Sequence, residues 1–376
     1  MDESKNRRYW NEYQKEIADD KFFYERSCIR QTFFPGSETA FLKIMREELG
    51  KDIRDEANQH TCTGIGYHSD IVPMETTMTV VARLFSLMTD AGYENYVPSC
   101  VTSFGIFTEM VEMWKEHPEL LEKTRKYLKE ATGRDFEAPK NIAHPSDIIY
   151  KYRFELKEKM KYQLVNRFTG KPLRVVEHIG CHYAKIFPEK GIGKAEFPYV
   201  LAGMIEAWGG EVVDYPERRH CCGFGFRHYL LQENRGYSVA NTKKKFESME
   251  PFEPDFIVAN CPGCAMFMDK WQYTIAEMEN KTYDKDGYGI PVLTYEEMAG
   301  MLLGYDPWKL GMQLHQVQVE NLLDKIGIPY KPNEKYRGAN GEILPSPEKP
   351  INLKAFPNAV RQARRKSSLS STRRPI

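Results

Sequence analysis

Apolar positions along the chain recur with two different periods. The stretches 41–49 (FLKIMREEL), 77–88 and 199–208 space their apolar residues three and four apart, which predicts helices. The stretches 211–215 and 256–260 (FIVAN) are short and rich in β-formers, which predicts strands; the first stops just before a double cysteine and the second ends at a cysteine. Strand, cysteine loop, helix, then the same again, is the order of an α/β fold. In such folds ligands sit at the loops beyond the strand C-termini, which is where the cysteines fall. Residues 131–172 mix a Pro- and Gly-containing stretch with a charged helix around 150–165, and 291–327 continue as strand and helix. Residues 332–350 are rich in Pro, Gly and Asn and read as an extended arm, followed by a Ser/Arg tail whose composition predicts disorder.

The cysteines turn this pattern into a duplication. There are eight: Cys28, Cys62, Cys100, Cys181, Cys221, Cys222, Cys261 and Cys264. In the C-terminal set, Cys181, Cys221 and Cys261 are 40 residues apart; in the N-terminal set, the intervals from Cys28 to Cys62 to Cys100 are 34 and 38. The surrounding strings agree, HTCTGIGY with RHCCGFGF and YVPSCVTSF with IVANCPGCAMF. A repeat at this period marks two copies of one structural unit. The copies differ at two positions. Thr63 stands where the second has Cys222, and Ser103 where it has Cys264.

Composition adds limits. At 41% hydrophobic and 28% charged, 376 residues can bury a core without disulfides. The net charge of zero excludes a chain built as a whole to embrace nucleic acid. Seven basic residues and no acid lie in 354–376, so the rest of the chain carries about −7, and the tail reads as a solvated segment able to dock an acidic partner or an anionic membrane surface. The start, MDESKNRRYW, is no secretory signal, and no run approaches the roughly 20 apolar residues of a membrane helix. The expectation is a soluble cytoplasmic protein that is not transmembrane. Thiols stay reduced in that compartment, so clustered cysteines point to metal or redox chemistry.

The residue types favour iron–sulfur chemistry. Soft thiolates suit iron in a sulfide cluster. Cys261-Pro-Gly-Cys264 puts two thiols on one turn, whereas the adjacent Cys221 and Cys222 are expected to point apart and to serve two irons, or irons bridged by one thiolate. Gly223, Gly225 and Gly263 let backbone N–H groups approach the sulfurs. A four-thiolate zinc site, a disulfide and inert buried cysteines are the competing readings. Two CxxC pairs, the usual zinc pattern, are not present, and inert cysteines would not repeat with this spacing.

The motifs HIGCH, HCCGFG and NCPGC, with their spacing, resemble the cysteine-rich CCG domain and, from about Cys28 to about Gly327, the B-type subunit of heterodisulfide reductase. The resemblance implies two pseudo-symmetric α/β CCG domains, 1–130 and 173–330, with 131–172 connecting them and 331–376 as arm and tail. It implies a noncubane [4Fe–4S] cluster on Cys181, Cys221, Cys222, Cys261 and Cys264. Only Cys28, Cys62 and Cys100 carry over to a degenerate second site. The implied substrate is a disulfide, thiol or persulfide. The implied partners are a ferredoxin-like C-type subunit and a flavin-bearing A-type subunit, since no CxxCxxCxxxCP run occurs here. Relatives in sulfur oxidation act on sulfur held by a lipoyl-carrier protein, and a one-cluster subunit fits that branch. A non-catalytic scaffold held together by zinc or an iron–sulfur cluster is the alternative. His178, His182, His220 and His228 lie near the cysteine loops, with His182 and His220 the better candidates for proton donors. Arg227 reads as a surface residue, and Gly191–Glu196 (GIGKAE) lacks a phosphate-loop frame.

Overall fold

A computed structural model describes residues 16–59, 64–193, 197–224, 235–279, 283 and 289–330. The cysteine position Cys62, its neighbour Thr63, and Gly225, Arg227, His228 and the arm and tail lie outside the described residues. Among the described residues eight strands form two four-stranded parallel sheets: β1 Phe22–Glu25, β2 Ile53–Asp55, β3 Asn95–Pro98 and β4 Asn141–Ile142, then β5 Arg174–His178, β6 Glu211–Val212, β7 Phe256–Ala259 and β8 Val292–Thr294. The strand orders are β2-β1-β3-β4 and β6-β5-β7-β8, the same topology twice. The central strands are buried on both faces, so β7 (FIVA) reads as a continuous apolar run and β1 (FFYE) as one up to Glu25, rather than as alternations.

The duplication holds to the residue. Phe22 pairs with Asn95 as Val175 pairs with Phe256, and Glu25 with Pro98 as His178 with Ala259. On this register Cys28 and Cys181 each follow the end of the first strand by three residues, and Cys100 and Cys261 follow the third by two. Glu25 is therefore the counterpart of His178, Arg30 of Tyr183, and Ser103 of Cys264. The strand order reverses between β1 and β3 and between β5 and β7, and this switch point is where α/β sheets open a crevice.

Several elements differ from their sequence patterns in extent. The helix expected at 41–49 begins earlier, at Pro35, whose ring suits the first helical turn, and after Lys43 it loosens into a π-helical turn, Ile44–Glu48. The strand expected at 211–215 keeps only Glu211–Val212 in the ladder. The charged helix around 150–165 is two short helices, Pro145–Lys151 and Arg153–Lys159, broken at Tyr152, which has non-helical dihedrals (φ −95°, ψ 13°). The stretch expected as a connector, 131–172, also supplies β4, the fourth strand of the first sheet.

The two halves exchange contacts. Helix Pro35–Lys43 of the first packs on Tyr295–Leu303 of the second, and Val200–Ala207 of the second packs on Pro145–Lys151 of the first. Residues just after the first cysteine of each half reach across in the same way. Arg30 makes a fully buried ion pair with Glu296, and the Tyr183 hydroxyl donates to Asp147. The receiving helices both start with reciprocal caps, His144 with Asp147 and Thr294 with Glu297. One hydrophobic core runs through both halves. Among the described residues no helix is long and apolar enough to cross a membrane.

Candidate metal centre

The second switch point gathers all five C-terminal cysteines. Cys181 opens the short helix after β5, and Cys221 and Cys222 follow β6 through the turn Pro216–Arg219. Cys261 precedes helix Pro262–Glu279, whose first turn carries Cys264. Their thiols influence one another in an unbroken series: Cys181 acts on Cys221, Cys221 on Cys222, and Cys264 on Cys261. Cys222 Sγ lies 3.1 Å from Cys264 Sγ, closing the series. The adjacent pair, Cys221 and Cys222, lies within mutual electrostatic reach. Gly223, with φ +94°, turns the chain back beneath it, and a Cβ there would strike the Ser238 carbonyl at 2.4 Å.

This donor set is mostly buried, and its thiols split between two that favour the anion and three that hold their protons. Cys222, Cys261 and Cys264 are buried, and Cys181 and Cys221 are half-buried. Hydrogen bonds from Cys181 and Cys222 push the Cys221 thiol far down, and one from Cys264 lowers Cys261. The donors of those bonds are pushed up: Cys181 and Cys222 by their bonds to Cys221, and Cys264 by its contact with Cys222. Five thiols so close cannot all ionise without a cation, and a soft metal that displaces the shared protons fits them. Backbone N–H groups also aim at the sulfurs: Gly223 to Cys221 at 3.3 Å, Phe224 to Cys222 at 3.5 Å and Cys264 to Cys261 at 3.4 Å.

The supporting residues are buried and polar. Asn260 accepts from Gly180 N–H at 2.8 Å and pins the loop before Cys181. Glu177 binds Arg218 and Arg219 and so fixes the turn before Cys221. Lys245 is fully buried, with Nζ donating to the carbonyls of Glu217 and Arg218 at 3.0 Å and of His220 at 3.3 Å. Burial pulls its pKa down to about 7, against the opposing field of Cys222, Cys264 and Cys221.

The histidines sort differently from their sequence order of promise. His178, the last residue of β5, brings a ring nitrogen within 4.8 Å of the sulfurs of Cys222 and Cys264, the single group of metal-type donors found among the described residues. Burial holds it well below its ordinary value, so it is a neutral imidazole with Nδ1 unbonded. Its position was legible, but its aim depends on which face of β5 meets the crevice. His182 turns to the first half: its Nε2 is 3.0 Å from His68 Nδ1, and His68 Nε2 is 2.8 Å from Glu109 Oε2. Thr102 Oγ1 lies 3.2 Å from its other nitrogen. Burial lowers His182 to about 4, with His68 adding to the shift. His220 Nε2 bonds Asn241 at 2.8 Å. Sequence reasoning passed over His68, Glu109 and Lys245, because no local pattern around them marks the distant groups they meet.

The first half is chemically different. Cys28 is exposed and Cys100 half-buried. Where the second half has the Cys264 thiol beside His178, the first has the Ser103 hydroxyl donating to Glu25 at 3.2 Å. A carboxylate–hydroxyl pair replaces a soft donor and an imidazole.

A family model, the cysteine-rich CCG domain, matches residues 175–269. The chain is 29% identical to the B subunit of the Ferredoxin:CoB-CoM heterodisulfide reductase of Methanosarcina acetivorans over 83% of its own length and 98% of that protein. It is 26% identical to a protein of Archaeoglobus profundus described as like the heterodisulfide reductase B subunit, over 70% of its length and 84% of the relative. A crystal structure of a hypothetical protein from Helicobacter pylori aligns with a TM-score of 0.56 and 14% identity, over 82% of this chain and 55% of the other. At that identity the last match speaks for the fold alone.

Proposed function

We propose that this chain, which in sequence is like the B subunit of heterodisulfide reductase, is the cluster-bearing redox component of a complex of several polypeptides. Cys181, Cys221, Cys222, Cys261 and Cys264 hold one noncubane [4Fe–4S] cluster, and a disulfide, thiol or persulfide reacts beside it. The observation that carries this reading is the unbroken series of five thiols at the second switch point. A bound cluster supplies one-electron chemistry at sulfur. The chain's own residues do the rest. The N–H groups of Gly223, Phe224 and Cys264 stabilise charge on the sulfurs. His182 gives a proton to the sulfur leaving group and is reprotonated through His68, with Glu109 at the outer end of the chain. His220 is a second proton donor, oriented by Asn241.

Electrons pass to or from a ferredoxin-like C-type subunit and a flavin-bearing A-type subunit. One observation favours work in sulfur oxidation on a lipoyl-carrier protein over paired-cluster disulfide cleavage: the Ser103–Glu25 pair sits where a second five-thiolate centre needs a cysteine.

The test is metal analysis of the full chain purified without oxygen. About four irons and four sulfides per chain are expected, with visible absorbance that Cys222→Ser abolishes. About eight irons would mean that both halves are loaded. Zinc alone would sink the redox reading in favour of a scaffold, and an intact signal in the serine variant would sink the five-thiolate assignment.

A further inference from the structure

Lys245, which donates three hydrogen bonds as an ammonium does, is buried without a carboxylate. Burying an ammonium is unfavourable unless something answers its charge. Two other buried cations near these cysteines, Arg218 and Arg30, are answered by Glu177 and Glu296. Lys245 makes no ion pair among the described residues. Its three N–H groups go to three backbone carbonyls, the donor count of an ammonium, and the Tyr215 ring lies 5.0 Å away. These partners are neutral dipoles. They orient the charge and leave it uncompensated. The carbonyls belong to the turn that leads directly into Cys221 and Cys222.

The other half of the molecule provides an internal comparison. The counterpart of helix Arg235–Met249 is Met74–Asp90, between the second and third strands of the first half. Its buried face is apolar apart from Thr77 and Ser86 and carries no charge. That half also has Ser103 in place of a thiol. The buried cation and the complete thiol set therefore occur together, and neither has its counterpart in the first half.

We propose that Lys245 is a fixed countercharge for the five-thiolate centre, strengthening its hold on metal and raising the reduction potential of the cluster bound there. The inference rests on the cluster reading above. The physical reason is that a thiolate-bound cluster is anionic and becomes more so on reduction. A nearby cation in a low-dielectric site favours the reduced state more than the oxidised one.

The experiment compares Lys245→Met, Lys245→Gln and Lys245→Arg with wild type in the full chain, reconstituted anaerobically. Iron per chain is counted and the midpoint potential is followed by electron paramagnetic resonance. Loaded Met or Gln variants are expected to titrate at a more negative midpoint, with Arg restoring the wild-type value. Loss of iron in Met and Gln with retention in Arg also supports a role for charge. A loaded Met or Gln variant with the wild-type midpoint overturns the proposal, because glutamine keeps hydrogen-bonding capacity and removes the charge. Loss of iron in all three, with folding intact by circular dichroism, overturns it too and makes Lys245 a packing residue. A wild-type chain that takes up no iron refutes the cluster reading instead.

Discussion

Individual side chains here are set by their burial and by the charges around them. His315 is an example outside the metal centre. It is buried against Phe34, with Nε2 3.4 Å from Glu297 and Nδ1 4.0 Å from Asp269. Burial alone lowers its pKa, but the Glu297 and Asp269 carboxylates outweigh that and raise it to about 9. A histidine whose folded pKa exceeds its unfolded value of about 6.5 contributes stability that is complete below the unfolded value. That stability is lost as pH rises through the folded one. Urea denaturation across pH 6 to 10 should therefore show a loss on the order of 3 kcal/mol between about pH 6.5 and 9. His315→Gln should remove that step. An unchanged slope in the variant would assign the pH dependence to other groups.

At the scale of elements, strand ends decide where chemistry can occur. β5, β6 and β7 each deliver a cysteine segment to one crevice, and the loops must approach closely for the sulfurs to meet. Gly180 sits at such an approach. A methyl there would lie 2.7 Å from the Val101 side chain and 2.8 Å from Cys261 Cβ. Gly180→Ala should cost about 1–3 kcal/mol through overpacking and lower the iron content by displacing Cys261. Gly236→Ala, where a methyl meets nothing within 4 Å, is the control and should leave both unchanged or slightly improved. Chemical denaturation and iron analysis of the two variants decide the matter. Equal iron content in both would show that the loop relaxes without moving the thiol.

At the scale of the molecule, the duplicated halves are tied by reciprocal buried contacts, Arg30 to Glu296 in one direction and Tyr183 to Asp147 in the other. A core shared between them is expected to make them unfold together. Arg30→Met leaves Glu296 buried without its partner, and the expected loss is about 3–5 kcal/mol. Replacing both, Arg30→Met with Glu296→Leu, should recover most of it, since two apolar groups need no partner. Denaturation of the four species as a double-mutant cycle measures the coupling. A single transition in wild type is expected, and two separate transitions would show that the halves unfold independently.

Much of this was present in the sequence because it is local or periodic. The spacing of the cysteines encodes the duplication, since equal strand, loop and helix lengths place equivalent residues at equal intervals. Runs such as FIVAN mark strands because a sheet covered on both faces needs apolar residues throughout. The substitutions Thr63 and Ser103 can be read without coordinates. Element ends were less legible: 211–215 gave only two ladder residues, because pairing depends on the neighbouring strand. What only the tertiary structure decided is which distant side chains meet. Lys245, Glu177 and Asn260 lie in separate stretches of chain and come to the cysteines through packing. His68 reaches His182 only because the two halves dock. Direction decided the rest. His178 and His182 both flank Cys181, yet one faces the sulfurs and the other the opposite half, because one ends a strand and the other lies in the helix that follows it.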